Sequence, residues 1–240
     1  MGVLKVFRDL MSFLTTISPT KDESFIFTSA HFMYLFPVIG ALIGLLAGVY
    51  LLFAYNFLSF LLEFLSDTIW FVSQTPFFGY LAKGLASVMT LAFLLVLTGL
   101  QHLDGLVDVG NALGIRKASV EEKIKIAHVW TVTRIGAFLA IIVSLGTMLF
   151  LFLIKPEVAI QSLVIAETAA KLSMVTCAWQ GSSVRKGLGS IFIDSMKNKH
   201  GLYAVSLIFS VLVGVLFLGL QGALAVSLGI VGGVLMIVLA

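Results

Sequence analysis

His102, Asp104, Asp108 and Asn111 lie within the stretch Gly99-Leu-Gln-His-Leu-Asp-Gly-Leu-Val-Asp-Val-Gly-Asn111, and Arg134 closes the polar segment that follows. Asp104 and Asp108 are four apart and Asn111 is three further on, so on a helix all three share a face. Like charges one turn apart repel by roughly a few tenths of a kcal/mol, a cost that reverses when a cation lies between them. Mg²⁺ is commonly held by one or two carboxylates together with phosphate oxygens of a substrate. The spacing points to a Mg²⁺ and phosphate site with Asp104, Asp108 and Asn111 as metal ligands. The same residues also fit a helix end whose acids cap it and face water.

Cations gather around these acids. Arg116, Lys117, Lys123 and Lys125 precede Arg134. A second polar stretch, Gly181-Ser-Ser-Val-Arg-Lys-Gly-Leu-Gly-Ser190, brings Ser182, Ser183, Arg185, Lys186 and Gly187 together. Hydroxyls, cations and the backbone N–H groups of glycine-rich turns suit phosphate oxygens. The stretch lacks the Walker pattern, and a loop that binds anionic lipid heads is the alternative reading. Glu167 and Lys171 stand four apart inside an apolar run, Glu first, which is the favourable order for a helical ion pair. An ionisable pair in a membrane helix lines a polar cavity, or neutralises itself to fix packing, or sends its lysine to the interface.

The elements that must position these groups are membrane helices. Of 240 residues, 60% are apolar and 11% charged, against about 25% charged in soluble domains. The single cysteine, Cys177, excludes a disulfide framework. The polar N-terminus shows no cleavable signal pattern, and no nucleic-acid partner is expected of a net charge of +3. The fold class is all-α: a polytopic integral membrane helical bundle of about six spans with an N-terminal interfacial amphipathic helix. Residues 3–17 form that surface helix, with Leu4, Phe7, Leu10, Met11 and Leu14 on one stripe and Lys5, Arg8, Asp9 and Ser12 elsewhere. Residues 21–29 read as a polar loop.

The spans fall at 34–55, 80–97, 134–154, 157–179, 202–220 and 223–239, the last two parted only by Gln221-Gly222. Residues 56–78 extend the first span and then lie at the interface. Gly40, Gly44 and Gly48 recur every fourth residue, a face that admits a neighbouring helix within the chain or from a second copy. The whole chain, 1–240, reads as one integral membrane domain, with 1–30 interfacial and 98–134 and 181–200 as cytoplasmic active-site loops. Lys and Arg number three in the N-terminal segment, five in the central stretch including Arg134, and four in 181–200; only Lys83 and Lys155 fall on the other side. By the positive-inside rule both termini and both polar stretches face the cytoplasm, in a cell (inner) membrane.

Taken together, these residues resemble the cobalamin synthase family, adenosylcobinamide-GDP ribazoletransferases. His102-Leu-Asp-Gly-Leu-Val-Asp108 resembles its His-Leu-Asp-Gly-Leu-Ala-Asp signature, and Arg134-Ile-Gly-Ala-Phe138 resembles its Arg-Ile-Gly-Ala segment. Glu167-x-x-x-Lys171, Gly187-Leu-Gly-Ser-Ile-Phe192 and Phe36-Pro-Val-Ile-Gly40 fit in the usual order. The resemblance implies a membrane enzyme that requires Mg²⁺. It would join α-ribazole, or its 5′-phosphate, to the corrinoid nucleotide adenosylcobinamide-GDP, with loss of GMP. A ribose hydroxyl attacks a pyrophosphate phosphorus in that reaction. Asp104 and Asp108 would then hold Mg²⁺, His102 or a carboxylate would take the hydroxyl proton, and Arg134, Arg185 and Lys186 would brace the phosphates.

Two positions depart from the family pattern. Asn111-Ala112 stands where the family has Asp-Gly, and Thr131-Val132 where it has Lys-Asp. Two expected carboxylates are therefore Asn111 and Val132, which puts catalytic strength in question. Other functions remain on this reading: a small transporter that uses Glu167 and Lys171 as its coupling site, or a lipid headgroup enzyme like the CDP-alcohol phosphotransferases. The latter's Asp-Gly-x-x-Ala-Arg pattern fails, since Asp108 falls where Ala should be.

Overall fold

A computed structural model of the protein describes residues 2–17, 23–68, 77–114, 132–183 and 186–239. The described residues are mostly helical and contain no strand. In chain order the helices are α1 (Val3–Leu14), α2 (Ser24–His31), α3 (Phe36–Thr68), α4 (Phe77–Leu97), α5 (Gln101–Leu113), α6 (Arg134–Leu153), α7 (Ala159–Gln180), α8 (Leu188–Met196) and α9 (His200–Leu239). Five stretches are long and apolar enough to cross a membrane, carried by α3, α4, α6, α7 and α9. The chain divides into two compact units, residues 1–50 with 155–240, and residues 51–154.

In the first unit the core follows from α3 against α7. A Cβ on Gly40 would lie 2.5 Å from the Glu167 carbonyl oxygen, one on Gly44 would lie 2.6 Å from the Val164 Cα, and one on Gly48 would lie 2.7 Å from the Ile160 Cα. The glycine face therefore packs within the chain, and the residue numbers fall along α7 as they rise along α3, so the two helices run antiparallel. Absence of side chains lets the backbones approach this closely, the usual device where lipid offers no hydrophobic drive. Ile39, Ile43 and Ala47 beside the stripe are buried.

The last two expected spans are the two arms of α9, which are separate helical runs joined across a sharp break. The helical path of α9 breaks at Leu218 and Gly219, not at Gln221-Gly222. Gly219 has φ of +56°, a left-handed conformation that glycine adopts without a Cβ penalty. Gly214 and Gly222 then meet backbone to backbone, so arm 220–239 folds back along arm 200–217. The hydroxyl of Ser173 donates to the Gly229 carbonyl (2.5 Å), and the Cys177 thiol to that of Gly233 (3.3 Å), so the second arm runs parallel to α7 in constant register. Ile165, Ala169, Leu172 and Val226 form the buried cluster between them.

Two stretches read as loops are partly helical. Residues 21–29 give way to α2 from Ser24 onward, and 181–200 contains α8, whose first turn is tied by Ser190 to Gly187. The expected stripe on α1 also splits. Leu10, Met11 and Leu14 are buried, with Phe13 stacked on Phe36 and tilted against Phe192, while Leu4 and Phe7 are exposed. Asp9 lies on the buried side: its Oδ1 accepts from exposed Arg8 at 3.0 Å, and its Oδ2 has no partner among the described residues. α1 is therefore held by the protein on one side and offers Val3, Leu4 and Phe7 on the other.

In the second unit α4 and α6 run antiparallel. Lys83, near the start of α4, reaches over the ring of Phe152 near the end of α6, at 5.5 Å. Gly99 and Leu100 both have positive φ and turn the chain from α4 into α5.

Candidate functional site

The second unit carries the residues of the central polar stretch. Helix α5 places Asp104 exposed and Asp108 half-buried, one turn apart on the same helix, with His102 exposed in the first turn. Arg134 is the first residue of α6 and is exposed. Among the described residues, Asp104, Asp108 and Arg134 form no ion pair. No group of three or more His, Cys, Asp or Glu side chains gathers among the described residues.

Asn111 has a different environment. Its side chain is 1% exposed. Its Oδ1 accepts from the Thr133 backbone N–H (2.9 Å) and from the Thr133 hydroxyl (2.7 Å). The Thr133 hydroxyl in turn accepts from the Gly136 N–H (3.1 Å), capping α6. The approach that permits this is made by glycines: a Cβ on Gly110 would sit 2.6 Å from the Gly136 Cα, and a Cβ on Gly136 would collide with Asn111 Oδ1. Both lone pairs of the Asn111 carbonyl are thus taken by Thr133. Val132, where the family pattern has an acid, is 65% exposed in non-helical chain before α6.

The first unit holds the others. Lys171 Nζ donates to Glu167 Oε2 at 2.9 Å, the expected helical pair. Lys171 is 1% exposed, so it does not snorkel to the surface; its stem lies under Gly40. Ser182 and Ser183 are exposed in chain that leaves the end of α7, and Lys186 and Gly187 are exposed just before α8. Arg185 lies outside the described residues, as do Arg116, Lys117, Lys123, Lys125 and Thr131.

Sequence reasoning missed the Thr133 cap at the α5–α6 junction and a ring cluster in the first unit. Thr133 directly precedes an apolar helical run, the position where a capping hydroxyl belongs, so its signal was present. Trp179 stacks on Tyr203 at 4.1 Å with His200 at its edge, and nothing in the spacing of those three residues foretells it.

A family profile described as cobalamin-5-phosphate synthase (CobS) matches residues 6–240. Among curated proteins, the chain is 34% identical over 171 residues to an adenosylcobinamide-GDP ribazoletransferase of Methanococcoides burtonii, covering 67% of this chain and 59% of that protein. It is 30% identical over 213 residues to one of Methanocella arvoryzae, covering 85% and 68%. A Methanosarcina barkeri protein of the same name aligns at 26% over 242 residues, covering 92% and 76%. No solved structure gives a significant match.

Proposed function

This chain belongs to the cobalamin-5-phosphate synthase family, and from that premise we propose that it joins α-ribazole or its 5′-phosphate to adenosylcobinamide-GDP with release of GMP, a late step of cobalamin biosynthesis. The family match across 6–240 carries the reading, and the names of the relatives agree with it. Neither the transporter nor the CDP-alcohol phosphotransferase reading gains support from any of these likenesses.

The reaction forms one bond from a ribose hydroxyl oxygen to the phosphorus next to the corrinoid and breaks the bond from that phosphorus to the GMP oxygen. The hydroxyl proton passes to a base. Such a transition state needs positioning and charge neutralisation above all. Asp104 and Asp108 fit a Mg²⁺ ion shared with substrate phosphates: they are two carboxylates one turn apart with no competing ion pair among the described residues. When bound, that ion would offset charge on the pyrophosphate oxygens. Arg134 supplies a fixed positive charge for the departing phosphate, and His102 or a carboxylate accepts the proton. In the first unit, Ser182, Ser183, Lys186 and Gly187, with Arg185 between Ser183 and Lys186 in sequence, are hydroxyl, ammonium and backbone donors of the kind that phosphate oxygens accept. The enzyme lies in the cytoplasmic membrane with both polar stretches and both termini inside, as the cation count favours.

The test is GMP release by purified protein given both substrates, with and without Mg²⁺. Release should need both substrates and the metal, and Asp108→Asn should lower it by about a hundredfold or more, as removal of charge aimed at a transition state does. Folded protein that makes no GMP with corrinoid and millimolar Mg²⁺ present would sink the reading.

A further inference from the structure

We propose that Asn111 and Thr133 are positioning residues, a latch that fixes the root of Arg134 against the acid-bearing helix α5. The proposal deepens the reading just given, since it rests on Arg134 meeting substrate phosphate.

Three observations carry it. First, side-chain hydrogen bonds tie the start of α6 to α5. A helix leaves its first N–H groups without intrahelical partners. Here the Thr133 hydroxyl satisfies Gly136 N–H, and Asn111 Oδ1 satisfies both the Thr133 N–H and the Thr133 hydroxyl proton. One amide oxygen on α5 therefore holds the cap residue of α6 twice. Second, the contact is buried and close. Asn111 is 1% exposed, and the Gly110–Gly136 approach is too close to admit even one added methyl group. Third, the two ends of the latch adjoin the chemistry. Arg134 is next in the chain after Thr133, and Asp108 lies one turn before Asn111 on α5. The latch sets where the guanidinium stem begins relative to the carboxylate helix. A misplacement of about 1 Å at a reacting centre can cost roughly a hundredfold in rate.

The experiment combines activity with hydrogen exchange of the first turn of α6, in purified full-length protein. Thr133→Val removes the hydroxyl at equal shape, and Asn111→Ala removes the acceptor. Both should speed exchange of the backbone amides near Thr133 and Gly136. Both should lower kcat by roughly ten- to a hundredfold, with KM for the corrinoid nearly unchanged. Thr133→Ser should restore both readouts. In an Arg134→Ala background, Thr133→Val should cost little more, because residues that act through one another are not additive. Unchanged exchange in both variants overturns the latch. Faster exchange with the same kcat, or a Thr133→Val loss that is undiminished in the Arg134→Ala background, overturns the positioning role. A wild-type protein that forms no product refutes the proposed function and the positioning role with it, while the exchange measurement still decides the latch.

Discussion

Replacing Gly44 by Ala places one methyl group where α3 meets the backbone of α7. The built Cβ collides with the Leu163 carbonyl oxygen and lies 2.6 Å from the Val164 Cα, roughly 1 Å inside ordinary carbon–carbon contact. Neither atom is the end of a flexible side chain, so relief requires the two helices to separate. Because the stripe is continuous, that movement also loosens the contacts at Gly40 and Gly48 and unpacks Ile39, Ile43 and Ala47. Forcing a methyl into such a contact costs about 1–3 kcal/mol, and rigid backbone partners put Gly44 in the upper part of that range. Against it stands a gain of up to about 1 kcal/mol from replacing glycine in a helix. The net loss is about 1–2 kcal/mol. Gly84 and Gly146 supply the control: both are helical, and a Cβ at either meets nothing within 4 Å. Gly84→Ala and Gly146→Ala should therefore be neutral or stabilising by up to about 1 kcal/mol. The same chemical change should take opposite signs at the two kinds of site. Equilibrium unfolding in mixed micelles, followed by far-ultraviolet circular dichroism, measures the difference. If Gly44→Ala is as stable as Gly84→Ala, the stripe does not carry the α3–α7 contact.

Two further outcomes follow from the same structure. Lys171→Met leaves Glu167 beside a buried methyl group, and removing one member of a buried pair costs about 3 kcal/mol; Glu167 keeps 18% exposure, which softens the loss. Adding Glu167→Gln should recover most of it in the same unfolding assay, and a double variant weaker than the single would show that the pair does not act as a closed unit. Asn111→Asp with Val132→Asp should lower the Mg²⁺ concentration for half-maximal GMP release by about tenfold, since ligand charge tunes the affinity of such sites. An unchanged Mg²⁺ dependence would exclude these positions from the metal's surroundings.

Spacing alone located the apolar helices, the Glu167–Lys171 pair and the shared helix of Asp104 and Asp108, because each depends on residues three or four apart. What failed depends on tertiary partners. Gly219 and Gly222 are the same residue type three apart, yet one turns the chain and the other packs against Gly214; the polar Gln221 marked the wrong one. Asp9 sat on the nominally wet side of an amphipathic pattern, and only the packing of α1 in the first unit reveals that it is buried. The residues between Lys186 and His200 read as loop because cations flank them, although Leu188, Ile191, Phe192 and Met196 have helical spacing.

Asn111 is the instructive case for the site. By spacing it belongs with Asp104 and Asp108, and in the structure it remains on their helix, but its carbonyl is committed to a residue 22 positions away. The helix junction needs an acceptor at 111 and does not need a charge there. A carboxylate at this position could accept both Thr133 bonds with one oxygen, strengthened by its charge and by the helix N-terminus it would face, and keep the second oxygen for other use. Asparagine meets the structural demand and omits the electrostatic one. The α5–α6 junction can therefore keep its geometry while the negative charge beside it varies, and that separability is what makes Asn111→Asp a test of electrostatics and Asn111→Ala a test of position.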